Sequence, residues 1–360
     1  MKIDRHRLRI HSTRVKLRPF GGQTPCRGRT HRLVVFCFVL WIGCWACADE
    51  PPAIAANQLA KTSVSQSLPR PLKTPPKNSS PSPLPAASQP QAVNLLRGVL
   101  HFIVNGPAFD AKVRETVWAT GRDVVGVGTY EQAGGGSGRY NLQVTMHDGD
   151  GKHRLQQISD GRLAWTRTEI AGKVSHRRVD VGRLNEWVQG ASRQMPISPG
   201  LKVGGWAEML STIERDYVLS VDSARLKGVA MWVITGELRQ SRRERVLADS
   251  ERQEWPLLHP TLVRVAVRKK PDPETGFGQL LPVHIEFRSD PVGSDEATGK
   301  SLRPLITLIE LYSIRPISPP PPERFRFENH DAEVIINETD RYIQLYGVSL
   351  TDLQRRQLRR

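Results

Sequence analysis

Alternation of apolar and polar residues is the dominant pattern between positions 140 and 290. It is clearest in the three segments Tyr140–Met146, Val263–Val267 and Leu281–Phe287, each of which has one apolar and one polar side. Successive side chains of a strand point to opposite faces of its sheet, so each segment is predicted to be a strand with one buried face. Strands of a parallel sheet would instead read as unbroken apolar runs. The pattern predicts an antiparallel sheet with one solvated face.

Short turn signals connect these strands to others. Asp148–Gly151 separates Tyr140–Met146 from a further alternating segment, Arg154–Ile158, and Ser159-Asp160-Gly161 precedes Leu163-Ala164-Trp165. Asp-Gly pairs tolerate the positive φ angles that tight hairpins need. Consecutive strands are therefore predicted to pair as hairpins.

Apolar residues at helical spacing predict a smaller number of helices. Two of them interrupt the sheet and two follow it near the chain end, while two helical pieces are predicted ahead of the sheet, separated by an Asn-Gly-Pro turn. In chain order the predicted helices are Asn94–Leu100, Phe109–Trp118, Val181–Ala191, Gly205–Arg215, Thr339–Tyr346 and Ser349–Leu358.

The first 48 residues have the features of a cleavable export signal. Ten Lys or Arg precede position 33, an apolar run follows from Leu33 to Ile42, and Ala46-Cys47-Ala48 places small residues before the predicted cleavage point. The apolar core is shorter than the roughly 20 residues that span a bilayer as a helix. The prediction is a protein of the periplasm or cell envelope, with an uncleaved anchor and a lipoprotein signal as the alternatives.

Removal of this signal changes what composition can indicate about function. All four cysteines lie within it, so disulfides and thiolate metal sites are excluded from the mature chain. The formal charge of +16 also falls, because residues 49–360 hold 42 basic and 35 acidic side chains. A moderately basic protein suits an anionic membrane surface, and the case for nucleic acid as a partner loses most of its support.

Composition divides the rest of the chain into three predicted parts. Residues 49–91 contain ten prolines among many Ser, Ala and Gln, which predicts a disordered linker that cannot bury a core. Residues 92–330 have globular composition and are predicted to form one β domain. Residues 331–360 are predicted to be a helical extension.

A search for catalytic or metal-binding motifs finds none. The mature chain has seven histidines, but no pair has zinc-ligand spacing, and there is no phosphate-binding loop, dinucleotide fingerprint or G-x-S-x-G elbow. No metal, no cofactor and no enzymatic activity are predicted. A hydrolase with a dispersed triad stays the less favoured alternative.

The order of several short motifs resembles the LolA/LolB-like superfamily of outer-membrane lipoprotein carrier and sorting proteins. The resemblance rests on Gly128-Thr129-Tyr130-Glu131-Gln132, on Ser159–Trp165, on Leu281–Phe287 after Glu274-Thr275-Gly276, and on Pro322–Phe327, which is expected to close the sheet. It implies an α+β fold, in which a curved antiparallel sheet forms an incomplete barrel closed by a few helices. The carriers are about half as long as this chain and lack the linker.

The resemblance also implies a function and a site. The hypothesis is a non-catalytic envelope protein that binds acyl chains of lipids or lipoproteins on the concave side of the barrel. The predicted lining residues are Tyr140, Leu142, Val144, Trp165, Trp232, Val263, Val265, Val267, Val283, Ile285 and Phe287. The alternative is a tethered interaction domain in which these residues fill a core and no lipid is bound. The sequence leaves the ligand and the oligomeric state open.

Overall fold

The computed structural model describes residues 87–119, 122–149, 151–191, 202–250, 255–256, 258–291, 303–329, 334–348, 350–352 and 354. The predicted export signal and all but the last few residues of the predicted linker lie outside these ranges, as does most of the predicted helix Ser349–Leu358. Twelve strands and five α-helices are found within the described part of the chain. The strands are β1 (Phe109–Ala119), β2 (Arg122–Gln132), β3 (Arg139–His147), β4 (Lys152–Asp160), β5 (Leu163–Ile170), β6 (Lys173–Asp180), β7 (Tyr217–Leu226), β8 (Val229–Leu238), β9 (Leu262–Arg268), β10 (Pro282–Arg288), β11 (Leu305–Pro316) and β12 (Ile335–Asn337). The helices are α1 (Pro90–Asn105), α2 (Val181–Ala191), α3 (Gly205–Asp216), α4 (Gln240–Ala248) and α5 (Thr339–Leu345).

All twelve strands belong to a single sheet. Its order is β12-β6-β5-β4-β3-β2-β1-β11-β10-β9-β8-β7, and every neighbouring pair is antiparallel except β12 and β6. The two outermost strands, β12 and β7, do not pair with each other, so the sheet is curved but does not close into a barrel. The predicted fold class, an incomplete antiparallel barrel with a few helices, is confirmed.

Two glycines let β3 approach β2 closely in the middle of the sheet. A Cβ atom on Gly128 would lie 1.8 Å from the carbonyl oxygen of Gln143, and one on Gly126 would lie 3.1 Å from the terminal methyl of Met146. Side chains at these positions would force the two strands apart. The Gly-x-Gly-x-Tyr pattern therefore sets the local geometry of β2.

Helices α1 and α3 cover one side of the sheet, which we call the inner face. Helix α1 starts with proline at its first turn, where the missing N–H is not needed, and buries a stripe that includes Leu96, Val99 and Ile103. Helix α3 buries Leu210 and Ile213. These side chains join the inner-face residues of the sheet in the main hydrophobic core. The opposite side is called the outer face.

The prediction of a helix over Phe109–Trp118 is wrong, because this segment is β1. Its buried positions, among them Val113 and Val117, alternate with exposed Lys112 and Arg114. That is the period of a strand, and pairing with β2 and β11 along its whole length stabilises it. Strands β6, β7, β8, β11 and β12 and helix α4 were not predicted.

The C-terminal part of the described chain packs against the far end of the sheet. Pro322–Phe325 forms a 3₁₀ turn that buries Phe325, and Phe327 stacks on Trp165 of the outer face with ring centroids 4.7 Å apart. This segment covers the sheet rather than closing it as a strand, contrary to expectation. The predicted helix at Thr339 is confirmed as α5, and strand β12 before it extends the sheet beyond β6.

Candidate functional site

The inner face brings most of the predicted lining residues together. Eight of the eleven lie in the main hydrophobic core. Three are on β3, and the other five are neighbours on the paired strands β9 and β10, which β2, β1 and β11 separate from β3. Cross-strand pairing explains their proximity, since Val265 lies opposite Ile285 and Val263 lies opposite Phe287. The eight residues are Tyr140, Leu142, Val144, Val263, Val265, Val267, Ile285 and Phe287.

These side chains are covered in this conformation. Leu142, Val263, Val265, Ile285 and Phe287 each have 0% of their surface exposed. A side chain that lines an empty space large enough for water keeps exposed surface, so no such space adjoins these five residues. Helices α1 and α3 contribute side chains to the same core.

Trp165 and Val283 lie on the outer face and not on the inner one. Trp165 alternates with Ala164, whose side chain takes the inner side of β5, and the tryptophan ring stacks on Phe327. Val283 lies at a register shift between Pro282 and His284, and packs in a separate small cluster with Met231 and Ala266. A bulge adds one residue to a strand, so the strict alternation that placed Val283 beside Ile285 fails there.

Trp232 lies at the rim of the inner face. It pairs across the sheet with Val267 and with Ser223, yet it is 38% exposed. The ammonium of Lys269 lies 3.7 Å from the centroid of its ring and also bonds Ser223. Trp232 is therefore an exposed aromatic group beside a cation and is not part of the packed core.

One carboxylic acid lies among the apolar residues of the inner face. Glu115 of β1 pairs with Gly126 of β2 and Ile309 of β11, and only 2% of it is exposed. Its Oε1 atom has no hydrogen-bond partner among the described residues. Thr307 of β11 lies opposite Val117 and is therefore a diagonal neighbour of Glu115 on the same face. The Cα atoms of diagonal neighbours in a sheet are about 7–8 Å apart.

The hydroxyl of Thr307, like Oε1 of Glu115, is buried and lacks a hydrogen-bond partner among the described residues. The residue is 0% exposed, and its Oγ1 atom has no hydrogen-bond partner within the described part of the chain. Burial raises the pKa of Glu115 from 4.5 to about 8, since the charged form is poorly solvated there. At neutral pH the site therefore holds a neutral carboxyl, which can donate and accept, beside a hydroxyl that can do the same.

Sequence reasoning missed Glu115 because Phe109–Trp118 was assigned to a helix. The available signal was its spacing. Glu115 lies two residues from Val113 and two from Val117, so in a strand all three side chains share one face, on which Glu115 is the acid in an apolar row. A strand assignment would have placed that acid on the buried side.

A network of polar contacts fixes the start of α3 against the sheet. The hydroxyl of Tyr140 donates to the carbonyl of Val203 at 3.1 Å, and the side-chain oxygen of Gln157 accepts from the N–H of Gly205 at 3.0 Å. The hydroxyl of Tyr342 on α5 donates to the carboxyl of Glu208 at 2.9 Å. Tyr140 is thus a structural anchor for the helix that covers the inner face.

The polar groups of the site do not form a metal centre. No group of three His, Cys, Asp or Glu side chains suited to a metal ion occurs within the described ranges. In the same part of the chain, no helix has both the length and the apolar character needed to cross a bilayer.

Comparison with known proteins gives matches of structure only. No protein-family model matches the chain, and no curated protein sequence matches it. Among solved structures, the chain is similar to the LolA superfamily protein NE2245 from Nitrosomonas europaea, with 10% identity, a TM-score of 0.26, and coverage of 66% of this chain and 97% of that one. It is similar to LprF from Mycobacterium bovis, with 12% identity, a TM-score of 0.31, and coverage of 66% and 99%.

A third match is to a longer protein. The chain is similar to MucB in the MucA/MucB complex of Pseudomonas aeruginosa, with 12% identity and a TM-score of 0.29, covering 66% of this chain and 61% of that one. The chain thus spans about three fifths of the length of MucB. The superfamily that the sequence resembles is represented among the matched structures.

Proposed function

We propose that this protein is a non-catalytic envelope protein that binds an acyl chain of a lipid or lipoprotein between the inner face of its sheet and helices α1 and α3. The observation that carries the proposal is the pair of unpartnered buried polar groups, Glu115 and Thr307, on a face otherwise built from hydrocarbon side chains.

A core that serves only to stabilise a fold keeps its buried polar groups paired. A buried group without a partner costs about 1–3 kcal/mol, and replacement by an apolar residue would remove that cost. The retention of Glu115 and Thr307 on this face therefore favours a ligand with atoms that form hydrogen bonds to them. A lipid supplies both requirements, a polar group for this pair and hydrocarbon for the surrounding face.

Entry of such a ligand requires α1 or α3 to move away from the inner face. Just before the start of α1, the N–H of Gln89 donates to the carbonyl of Leu219 on β7, and the hydroxyl of Ser88 accepts from the N–H of Leu219; at the end of α1 the Gln132 amide donates to the carbonyl of Ile103 at 2.9 Å. Burial of ten acyl CH₂ groups stabilises the complex by about 8 kcal/mol. Two leucine-sized side chains displaced into water cost about 1.5–3 kcal/mol each, which is less than this gain, so the exchange is favourable.

The test is direct detection of a bound lipid. We expect organic extracts of the purified protein to contain an acyl lipid by mass spectrometry, and a fluorescent acyl probe to bind the delipidated protein. Glu115→Leu should weaken probe binding, whereas Glu310→Leu, which removes an acid from the outer face of the neighbouring strand β11, should not. A thermal melt of each variant separates lost binding from lost folding. Absence of lipid together with absence of probe binding would contradict the proposal.

A second candidate function is a tethered interaction domain with a filled core. The complete burial of Leu142, Val263 and Phe287 beneath α1 and α3 favours it. In that case Glu115 and Thr307 would share an ordered water, and the extracts would contain no lipid. The same experiment therefore separates the two candidates.

We also propose the export route and the chain organisation predicted from the sequence. Residues 1–48 would direct export, residues 49–91 would tether the folded part, and the mature protein would begin at Asp49. Intact-mass measurement of protein from the periplasmic fraction tests this. A mass that includes the first 48 residues would support the membrane anchor, and added acyl mass at a cysteine would support a lipoprotein.

A further inference from the structure

A strip of apolar side chains lies exposed on the outer face of the hairpin β1–β2. Trp118 is 47% exposed, Val125 is 39% exposed and Val127 is 56% exposed. Val125 pairs with Thr116, two residues from Trp118 on the same face of β1, and Val127 is two residues from Val125 on the same face of β2. The three side chains are therefore contiguous.

Cations surround this strip. Lys112 and Arg114 lie on the same outer face of β1, and Arg122 lies at the end of the hairpin; all three are exposed. None of them forms an ion pair with another residue that the structure describes. Asp123 lies on the strip itself, opposite Trp118. The other acids nearby are paired with cations: Asp110 with Arg315, Glu131 with Arg324, and Glu310, which lies opposite Arg114, with Lys227. The charges beside the apolar groups that lack an ion pair among the described residues are therefore three cations and one acid.

We propose that this strip is the surface by which the protein docks onto an anionic lipid bilayer. Tryptophan is favoured at the boundary between headgroups and hydrocarbon, where its ring is buried and its N–H stays hydrated. Unpaired Lys and Arg side chains beside it are attracted to anionic headgroups by about 1 kcal/mol each. A single surface therefore combines the two attractions that peripheral membrane proteins use.

The charges favour a bilayer over a second copy of the chain. A symmetric dimer would place the same patch of both subunits face to face. Lys112, Arg114 and Arg122 would then meet their own counterparts, with Asp123 as the one acid of each strip to offset them. An anionic membrane removes this repulsion and replaces it with attraction.

The docking surface is independent of the proposed lipid site. It lies on the outer face of β1 and β2, while Glu115 lies on the inner face of β1. Either proposal can therefore fail while the other stands.

Co-sedimentation with vesicles tests the docking surface. The purified protein should bind vesicles that contain phosphatidylglycerol, release from them as salt is raised, and bind pure phosphatidylcholine vesicles far more weakly. The double variant Lys112→Glu and Arg114→Glu should lower the partition coefficient about 30-fold or more, the loss of two attractions of about 1 kcal/mol each. The matched control, Arg245→Glu with Lys270→Glu, makes the same change of charge at two exposed sites on other elements.

A second variant with its own control tests the apolar part of the surface. Val127→Asn should weaken binding to the anionic vesicles, while Val229→Asn at the similarly exposed start of β8 should not. Circular dichroism melts confirm that each variant is folded. Equal binding by the strip and control variants, or no binding to anionic vesicles, would overturn the proposal. So would a concentration-dependent dimer in sedimentation that Val127→Asn dissociates, since it would assign the strip to a second copy.

Discussion

Replacement of Glu115 by glutamine tests whether the inner face holds a buried neutral acid. The substitution keeps the size of the side chain and removes its titration. The pKa of Glu115 is about 8 in the folded protein because of burial, against 4.5 for the same group in water. Between these values the folded state binds a proton that the unfolded state has released.

The sign and size of the effect follow from this difference. The native state of the wild type loses stability as pH rises from about 4.5 to about 8, by about 1.4 kcal/mol per pH unit from this group alone. Glutamine cannot ionise, so it contributes no such loss. We expect Glu115→Gln to exceed the wild type in free energy of unfolding by about 3 kcal/mol at pH 7, and by little at pH 4.5.

Urea unfolding at several pH values, followed by circular dichroism, measures this difference. Other titrating groups affect both proteins equally and cancel when the two free energies are subtracted. Asp123→Asn is the matched control, because Asp123 is an exposed acid on the neighbouring strand β2. Its difference from the wild type should not vary with pH in this way.

A difference between wild type and Glu115→Gln that stays constant from pH 4.5 to 8 would refute the reasoning. It would show that Glu115 ionises at its ordinary pKa in the folded protein, with access to water or to a cation. The proposal of lipid binding would then lose its main support, the buried neutral carboxyl of Glu115.

Three further predictions concern the fold. Gly128→Ala should lower the free energy of unfolding by more than about 3 kcal/mol, because overpacking alone costs about 1–3 kcal/mol and here the backbone of β3 must also move. Gly151→Ala is the control and should have a much smaller effect, because open space surrounds its Cβ position; urea unfolding midpoints compare the two variants. Thr339→Ala should cost about 1 kcal/mol in the same assay, because its hydroxyl accepts from a backbone N–H of β6 at 3.0 Å. Phe327→Ala should change the near-UV circular dichroism of Trp165 and cost about 1 kcal/mol beyond the lost burial, and an unchanged spectrum would contradict the stacking.

Local periodicity was sufficient wherever an element obeyed a single repeat. Val181–Ala191 was predicted with the bounds of α2, and the strand around Leu142 has the one buried face predicted for it. In these segments the residues that prefer burial already lie on one side of the regular structure. The sequence therefore suffices to place them.

The regular repeat failed where one residue broke it. The bulge at Val283 turns that side chain to the outer face. The local signal for it is Pro282, because proline in a central strand occurs at the first residue or at a bulge. Trp165 faces outward for another reason, since Phe327, about 160 positions later, supplies the apolar partner that makes the outer face favourable. Contacts distant in sequence decide such cases, and a pattern read over eight residues does not contain them.

The sequence by itself determined the class of the fold and eight of the residues that form its buried face. Only the tertiary structure decided what lies on that face. Helices α1 and α3 cover it, and Glu115 is brought among apolar side chains because β1 pairs with both β2 and β11. Burial depends on what packs above a side chain, and that depends on the path of the whole chain. The side chains that prefer an apolar environment can be read from a sequence, but whether they enclose a core or a ligand is set by the packing of distant elements.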